Sequence, residues 1–226
     1  MTDLYESKID ETLRFWDRRG FSVVRGLFSD AETTVLRQAL EREISREREP
    51  APVGTTVWSG SPVFYREATG PSAGVRMLTY VARCHDAVPH APLVRRFTDF
   101  RGRVAGRLPG GAGQRRSRER LCTSLISMPS GGRIDWHTDT GPGAPPVIAV
   151  LHLSRRGIDF EGGAFQVRTP TEQTVAARAG DVVLFPWDAW HAVTEVTRGE
   201  RMVLSSGWLK EEGPRTTEEE GGGTPG

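Results

Sequence analysis

The sequence predicts a mainly β protein with flanking N-terminal helices, its strands forming a sandwich or barrel of the jelly-roll kind. Three observations carry this. Eight short runs rich in β-branched and aromatic residues follow one another between Leu121 and Trp208, separated by turn residues. Helical periodicity is confined to the part before Arg120. The 226 residues suit one domain with a sizeable core.

Taken in order, FSVVRGLF (Phe21 to Phe28) is a strand by its apolar, β-branched content. Ser29 and Glu32 make a capping box for a helix that runs through Leu36, Leu40 and Ile44 and stops before Pro50 and Pro52. Val53 to Gly74 is rich in Gly, Ser, Thr and Pro, and reads as a loop whose Trp58, Phe64 and Tyr65 anchor it or form part of a lid. Arg76 to Arg83 and Leu93 to Val104 read as further helical pieces, and the turn-rich Arg107 to Ser117 closes this part. The eight strands are LCTSLISM, RIDWH, VIAVLHL, GAFQV, QTVAAR, DVVLF, HAVTEV and RMVLSSGW. The expected organisation is one domain over 1–210, with a helical and lid part over 1–119 and a roll over 120–210. A disordered tail is expected over 211–226, because that segment lacks apolar residues.

Composition excludes several classes. Net charge is +1, so nucleic acid and anionic membrane are not expected partners. The nine arginines from Arg95 to Arg120 read as a solvated helical face and loop. No apolar run approaches the ~18 residues of a membrane span, and the polar N-terminus resembles neither a secretory signal nor a transit peptide. Cys84 and Cys122 are too few for a disulfide framework, and read as free thiols of a cytoplasmic protein.

The chemistry is expected in RIDWHTDTG. On an extended strand His137 and Asp139 project to one side while Trp136 and Thr138 face the other, so the pair can reach one metal ion. Of the remaining histidines (His85, His90, His152, His191), His191 lies on the seventh strand of the roll, which is expected beside the second. His85 and His90 fall outside the roll and read as surface residues. Two histidines and a carboxylate leave three open positions on an octahedral metal, the arrangement of Fe(II) oxygenases. Zinc fits the same ligand types. Arg201, ten residues after His191, would point into the roll, where a guanidinium requires an anionic partner. Ser205 faces the same side. Together they form a receptor for the far carboxylate of 2-oxoglutarate.

The run from Leu121 to Trp208 resembles the double-stranded β-helix (cupin-like) Fe(II)/2-oxoglutarate dioxygenases, and within them the prolyl 4-hydroxylase-like branch. The shared features are HTD, EGGAF (Glu161 to Phe165), AGDVVLFPWDAWHAV and GER followed by a tryptophan. The resemblance implies iron held by His137, Asp139 and His191, with 2-oxoglutarate and O2 as co-substrates. Where relatives carry tyrosines, this chain has Met128, Ile134 and His152. His152 then reads either as a core histidine or as the second hydrogen-bond donor to the co-substrate. Halogenating relatives replace the aspartate, which Asp139 here retains. Gly207 stands where nucleic-acid demethylases carry a second arginine.

The expected function is oxidation of an unactivated C–H bond in a small metabolite, by hydroxylation, ring closure or desaturation. A tailoring step in bacterial secondary metabolism, such as antibiotic biosynthesis, fits, with an amino acid, a peptide or an amino-sugar compound as substrate. The other readings are a protein side-chain hydroxylase and a non-catalytic cupin-like metal-binding or sensing module. A monomer or homodimer is expected. Core packing is the default role of Trp136, Trp187 and Trp190, with one of them a candidate substrate wall. Asp135, Asp159, Glu161 and Asp188 are candidates to meet a cationic substrate, and Gly162 and Gly163 serve a turn at positive φ.

Overall fold

Alternating apolar residues in the C-terminal half place side chains on both faces of their strands, and two antiparallel sheets result. The structure, a computed structural model, describes residues 2–46, 63–68, 75–81, 91–108, 121–140 and 147–208. Its elements are α1 (Thr2–Arg19), β1 (Ser22–Val24), α2 (Asp30–Arg46), β2 (Val63–Ala68), β3 (Val75–Val81), α3 (Ala91–Arg107), β4 (Leu121–Pro129) and β5 (Ile134–His137). They continue with β6 (Val147–His152), β7 (Phe160–Gly162), β8 (Phe165–Arg168), β9 (Glu172–Thr174), β10 (Val182–Pro186), β11 (Trp190–Val193) and β12 (Val196–Trp208). The large sheet has the order β1-β10-β6-β12-β4-β3-β2, with β7 also on β12, and the small sheet has the order β5-β11-β8-β9. This is the expected double-stranded β-helix with N-terminal helices.

The large sheet is buried on both faces, as its unbroken VIAVLH strand requires. One face, through Leu125, Ala149, Leu151, Leu184 and Leu204, meets Ile9 of α1, Leu36 of α2 and Phe97 and Phe100 of α3. The other face, through Met128, Ile148, Val150, Val183 and Val203, meets Val167 and Val193 of the small sheet. Each fully buried Val, Leu, Ile, Phe or Met among them contributes about 1.5–3 kcal/mol relative to exposure.

Helix α2 begins as expected. Ser29 N donates to Glu32 Oε2 (2.9 Å) and Glu32 N to Ser29 Oγ (3.3 Å). Arg96 of α3 donates to the other oxygen of Glu32 at 2.8 Å and, with that bond foremost, holds the Glu32 carboxyl down at about 2. Arg103 and Arg107 pair with Glu6 and Asp10 of α1. Arg96, Arg103 and Arg107 of the basic run thus join α3 to α2 and α1, while buried Arg101 donates to the Val147 carbonyl of β6. Strand β1 is fastened to β10 through buried Asp181, which accepts bonds from Arg25 Nη1 (2.6 Å), Gly26 N (2.9 Å) and Arg178 N (2.8 Å).

Four expectations need correction. Arg76 to Arg83, expected as helix, supplies strand β3, which pairs β4 from Arg76 opposite Ser127 to Val81 opposite Cys122. A seven-residue apolar segment does not fix its own period, and an available sheet edge decides it. The loop expected over Val53 to Gly74 contains strand β2, antiparallel to β3. The strand from Phe21 is cut to three residues because the chain turns at Gly26. HAVTEV is divided between β11 and β12, which belong to different sheets. Helix α1 has its apolar signal at Tyr5, Ile9, Leu13 and Trp16, set among charged residues. The side chains of Leu40, Ile44, Phe64, Tyr65 and Trp208, and all of Trp58, His85, His90, most of the Arg107 to Ser117 turn and the tail, lie outside the described residues. Among the described residues no helix is long and apolar enough to cross a membrane.

Candidate active site

Strand β5 lies against β11 with His137 directly opposite His191. Directly opposed residues on antiparallel strands face the same side, and here the imidazole centroids are 4.1 Å apart. Each ring is oriented by its own backbone: His137 Nδ1 is 2.9 Å from the Asp135 carbonyl and His191 Nδ1 3.0 Å from that of Ala189. A carbonyl only accepts, so Nδ1 carries the proton and Nε2 offers its lone pair. Those lone pairs face Asp139: His137 Nε2 is 3.8 Å from Oδ1 and His191 Nε2 is 3.6 Å from Oδ2. Both separations exceed a hydrogen bond, and one ligand atom from each of the three side chains lies within 4.8 Å of the other two. Two imidazoles and a carboxylate converging in this way could hold one divalent cation.

Burial, above all, lowers the pKa of His191, with the His137 charge acting the same way and Asp139 opposing. The ring sits in the roll against Phe185, at 4.7 Å between centroids, and Phe165, at 6.0 Å. Asp139 lies beyond the end of β5, where its N–H donates to the Trp187 carbonyl at 2.9 Å. The turn between β10 and β11 thus supplies two carbonyls, Trp187 and Ala189, that position two of the three side chains. Backbone carbonyls leave no mark in residue identity, so the sequence gives no signal for them.

Arg201, His152 and Ser205 lie on the large sheet, on the face turned toward this cluster. On β12, Arg201, Val203 and Ser205 alternate to one side, with Met128 opposite Arg201, His152 opposite Val203 and Val150 opposite Ser205. Met128, Val150 and Val203 belong to the core between the sheets. Arg201 is only 1% exposed, yet Nε, Nη1 and Nη2 have no hydrogen-bond partner. The buried His152 Nε2 has none either. Burial brings the Arg201 pKa down to about 10. Burial first, then the Arg201 charge, holds His152 well below its ordinary value and therefore neutral. Three buried guanidinium nitrogens, with His152 Nε2 on the same face, form a set that a carboxylate would satisfy. Ser205 is half-buried.

The three tryptophans divide. Trp187 packs on the inter-sheet core. Trp136 and Trp190 point away from the ligand face: Trp136 stacks under Arg168 (4.8 Å) and Trp190 is 49% exposed, so core packing fails for Trp190. Of the four acidic candidates, Asp135 pairs with Arg133, Asp159 with Arg37 and Arg155, and Glu161 with Arg198. Asp188 is exposed in the β10–β11 turn. Gly162 and Gly163 take φ of +71° and +55°, as expected.

Residues 123–210 match the sequence profile of the 2OG-Fe(II) oxygenase superfamily. A PKHD-type hydroxylase of Teredinibacter turnerae is 34% identical over 90 residues, 36% of this chain and 39% of that protein. The chain thus spans well under half of that curated relative. A prolyl hydroxylase of Trichoplax adhaerens, solved with a hypoxia inducible factor peptide fragment, superposes with a TM-score of 0.66 at 13% identity, covering 93% of this chain and 92% of that one. The carbocyclase SnoK of nogalamycin biosynthesis gives 0.59 at 16% identity, covering 88% of this chain and 83% of that one. At such identities these structures show a common fold.

Proposed function

Because residues 123–210 match the 2OG-Fe(II) oxygenase superfamily, we propose that the protein is an Fe(II)- and 2-oxoglutarate-dependent dioxygenase that oxidises an unactivated C–H bond of a small metabolite. The observation that carries this reading is Arg201, a buried guanidinium with three unpartnered nitrogens on the sheet facing the His137, Asp139 and His191 cluster. A purely structural or sensing metal site has no need of it, because an unpaired buried charge destabilises the fold.

His137, Asp139 and His191 would hold the iron, and Arg201 would pair with the far carboxylate of 2-oxoglutarate. His152 Nε2–H and Ser205 would add hydrogen bonds to that co-substrate. Bound together, iron(II) and 2-oxoglutarate supply, with O2, the oxidising power that couples decarboxylation to succinate and CO2 with oxidation of the substrate. The chain's own contribution is placement and exclusion of water. The Asp135 and Ala189 carbonyls fix the imidazole tautomers, and the Trp187 carbonyl fixes the Asp139 backbone. Trp187, the tryptophan packed on the ligand side, is the substrate wall. Three of the four acidic candidates are already paired to arginines, which leaves Asp188 of the β10–β11 turn as the one of the four placed to meet a cationic group. A tailoring reaction in secondary metabolism fits this site. The fold also serves a peptide-directed prolyl hydroxylase, so it does not by itself choose between metabolite and protein side chain.

The test is anaerobic purification, addition of Fe(II), 2-oxoglutarate and O2, and measurement of succinate, with His137→Ala and Arg201→Ala alongside. Iron-dependent succinate that both variants lose is expected. No succinate even with a broad metabolite extract present would overturn the reading.

A further inference from the structure

The stem of Arg201 passes close over the bare α-carbon of Gly163. A Cβ built on Gly163 would stand 3.0 Å from Arg201 Cδ, 3.0 Å from Val196 Cγ2 and 3.2 Å from a ring carbon of Phe160. To admit a methyl here these neighbours would have to give by a few tenths of an ångström within packed surroundings, since Arg201, Val196 and Phe160 are buried and Met128, also buried, faces Arg201 across the strand pair. The Gly163 backbone cannot retreat. Its N–H donates to the Glu195 carbonyl at 2.8 Å, and the next residue is held on both sides, Ala164 N to Thr194 Oγ1 (2.8 Å) and Thr194 N to the Ala164 carbonyl (3.0 Å). On the other side, a Cβ on Gly162 would lie 2.2 Å from the Glu195 carbonyl oxygen. The glycine pair is thus pressed between the start of β12 and the stem of Arg201.

We propose that Gly163 is a positioning residue for the co-substrate: its bare α-carbon seats the Arg201 stem and so sets where the guanidinium meets the far carboxylate. This rests on the function proposed above. It goes beyond the turn geometry that a positive φ explains, because the contact is with the side chain that receives the anion.

The test uses the full chain loaded with Co(II), with calorimetric titration of 2-oxoglutarate and, separately, of oxalate, which can chelate a metal but has no far carboxylate. Gly163→Ala should weaken 2-oxoglutarate about tenfold or more, the scale of a displaced charge-assisted hydrogen bond. Oxalate and Co(II) should bind as in the wild type. Gly26→Ala is the control for backbone strain: Gly26 has φ +56° and nothing within 4 Å of a built Cβ, so it should leave both ligands unaffected. Unchanged 2-oxoglutarate binding in Gly163→Ala, or equal weakening of both ligands, overturns the proposal. If Gly163→Ala does not fold, the Gly163→Ala/Val196→Ala pair relieves the Val196 contact and keeps that with Arg201. It should still be selectively weak for 2-oxoglutarate, and binding like Val196→Ala alone overturns the proposal. A wild type that binds Co(II) but not 2-oxoglutarate removes the proposed function itself, and this inference with it.

Discussion

Replacing Arg201 with methionine is expected to stabilise the ligand-free protein while removing its response to 2-oxoglutarate. Methionine keeps most of the aliphatic stem that fills the inter-sheet core and deletes the three unpartnered nitrogens. Burial lowers the guanidinium pKa from its ordinary value to about 10, which at 1.36 kcal/mol per unit corresponds to about 3 kcal/mol of lost solvation. The unfolded chain binds this proton more tightly, so the penalty is fully present at any pH below about 10 and fades only as pH rises toward the ordinary arginine range. Allowing for imperfect packing, a gain of roughly 1–3 kcal/mol is expected, or about 3–9 °C in melting temperature for a chain of this size. Scanning calorimetry at pH 7.5, without ligand and with Co(II) plus 2-oxoglutarate, reads both effects. A ligand at a hundred times its dissociation constant adds about 2.7 kcal/mol to the wild type and should add nothing beyond the metal's own effect to the variant. The reasoning fails if the ligand-free variant melts below the wild type, or if it keeps the shift caused by 2-oxoglutarate.

Two further outcomes follow from buried polar groups. His152→Phe should raise the 2-oxoglutarate requirement without changing metal affinity. It should also flatten the acid side of the stability profile. The native His152 stays neutral because burial depresses its pKa, whereas the unfolded histidine takes up a proton as pH falls below 6.5. The wild type should therefore lose up to about 2 kcal/mol relative to the variant between pH 6.5 and 5, and parallel denaturant-unfolding profiles would contradict this. Asp181→Asn weakens the bond from Arg25 and presents an amide to the N–H groups of Gly26 and Arg178. A loss of about 2–4 kcal/mol is expected, seen as a fall of roughly 5–12 °C in melting temperature. A fall under about 2 °C would show that β1 is held by packing alone.

The strands that build the roll were legible because alternation and turn residues are local properties, and all eight C-terminal runs supply strand residues. The candidate ligands were legible too, since His-x-Asp, a later histidine and an arginine ten residues after it are patterns of residue type at fixed spacing. What the sequence by itself determined is therefore which groups can do chemistry and which face each occupies on its own strand. The tertiary structure decided whatever depends on residues distant in the chain. Val75 to Val81 became a strand because the edge of β4 was there to receive it. The β10–β11 turn lent the Trp187 carbonyl to Asp139 because sheet packing brought it there. The bare α-carbon of Gly163 came against Arg201, 38 positions later in the chain, because β7 pairs with the start of β12. Periodicity records how one element meets its average surroundings, while the contact between one glycine and one arginine stem is set only when the sheets close on each other.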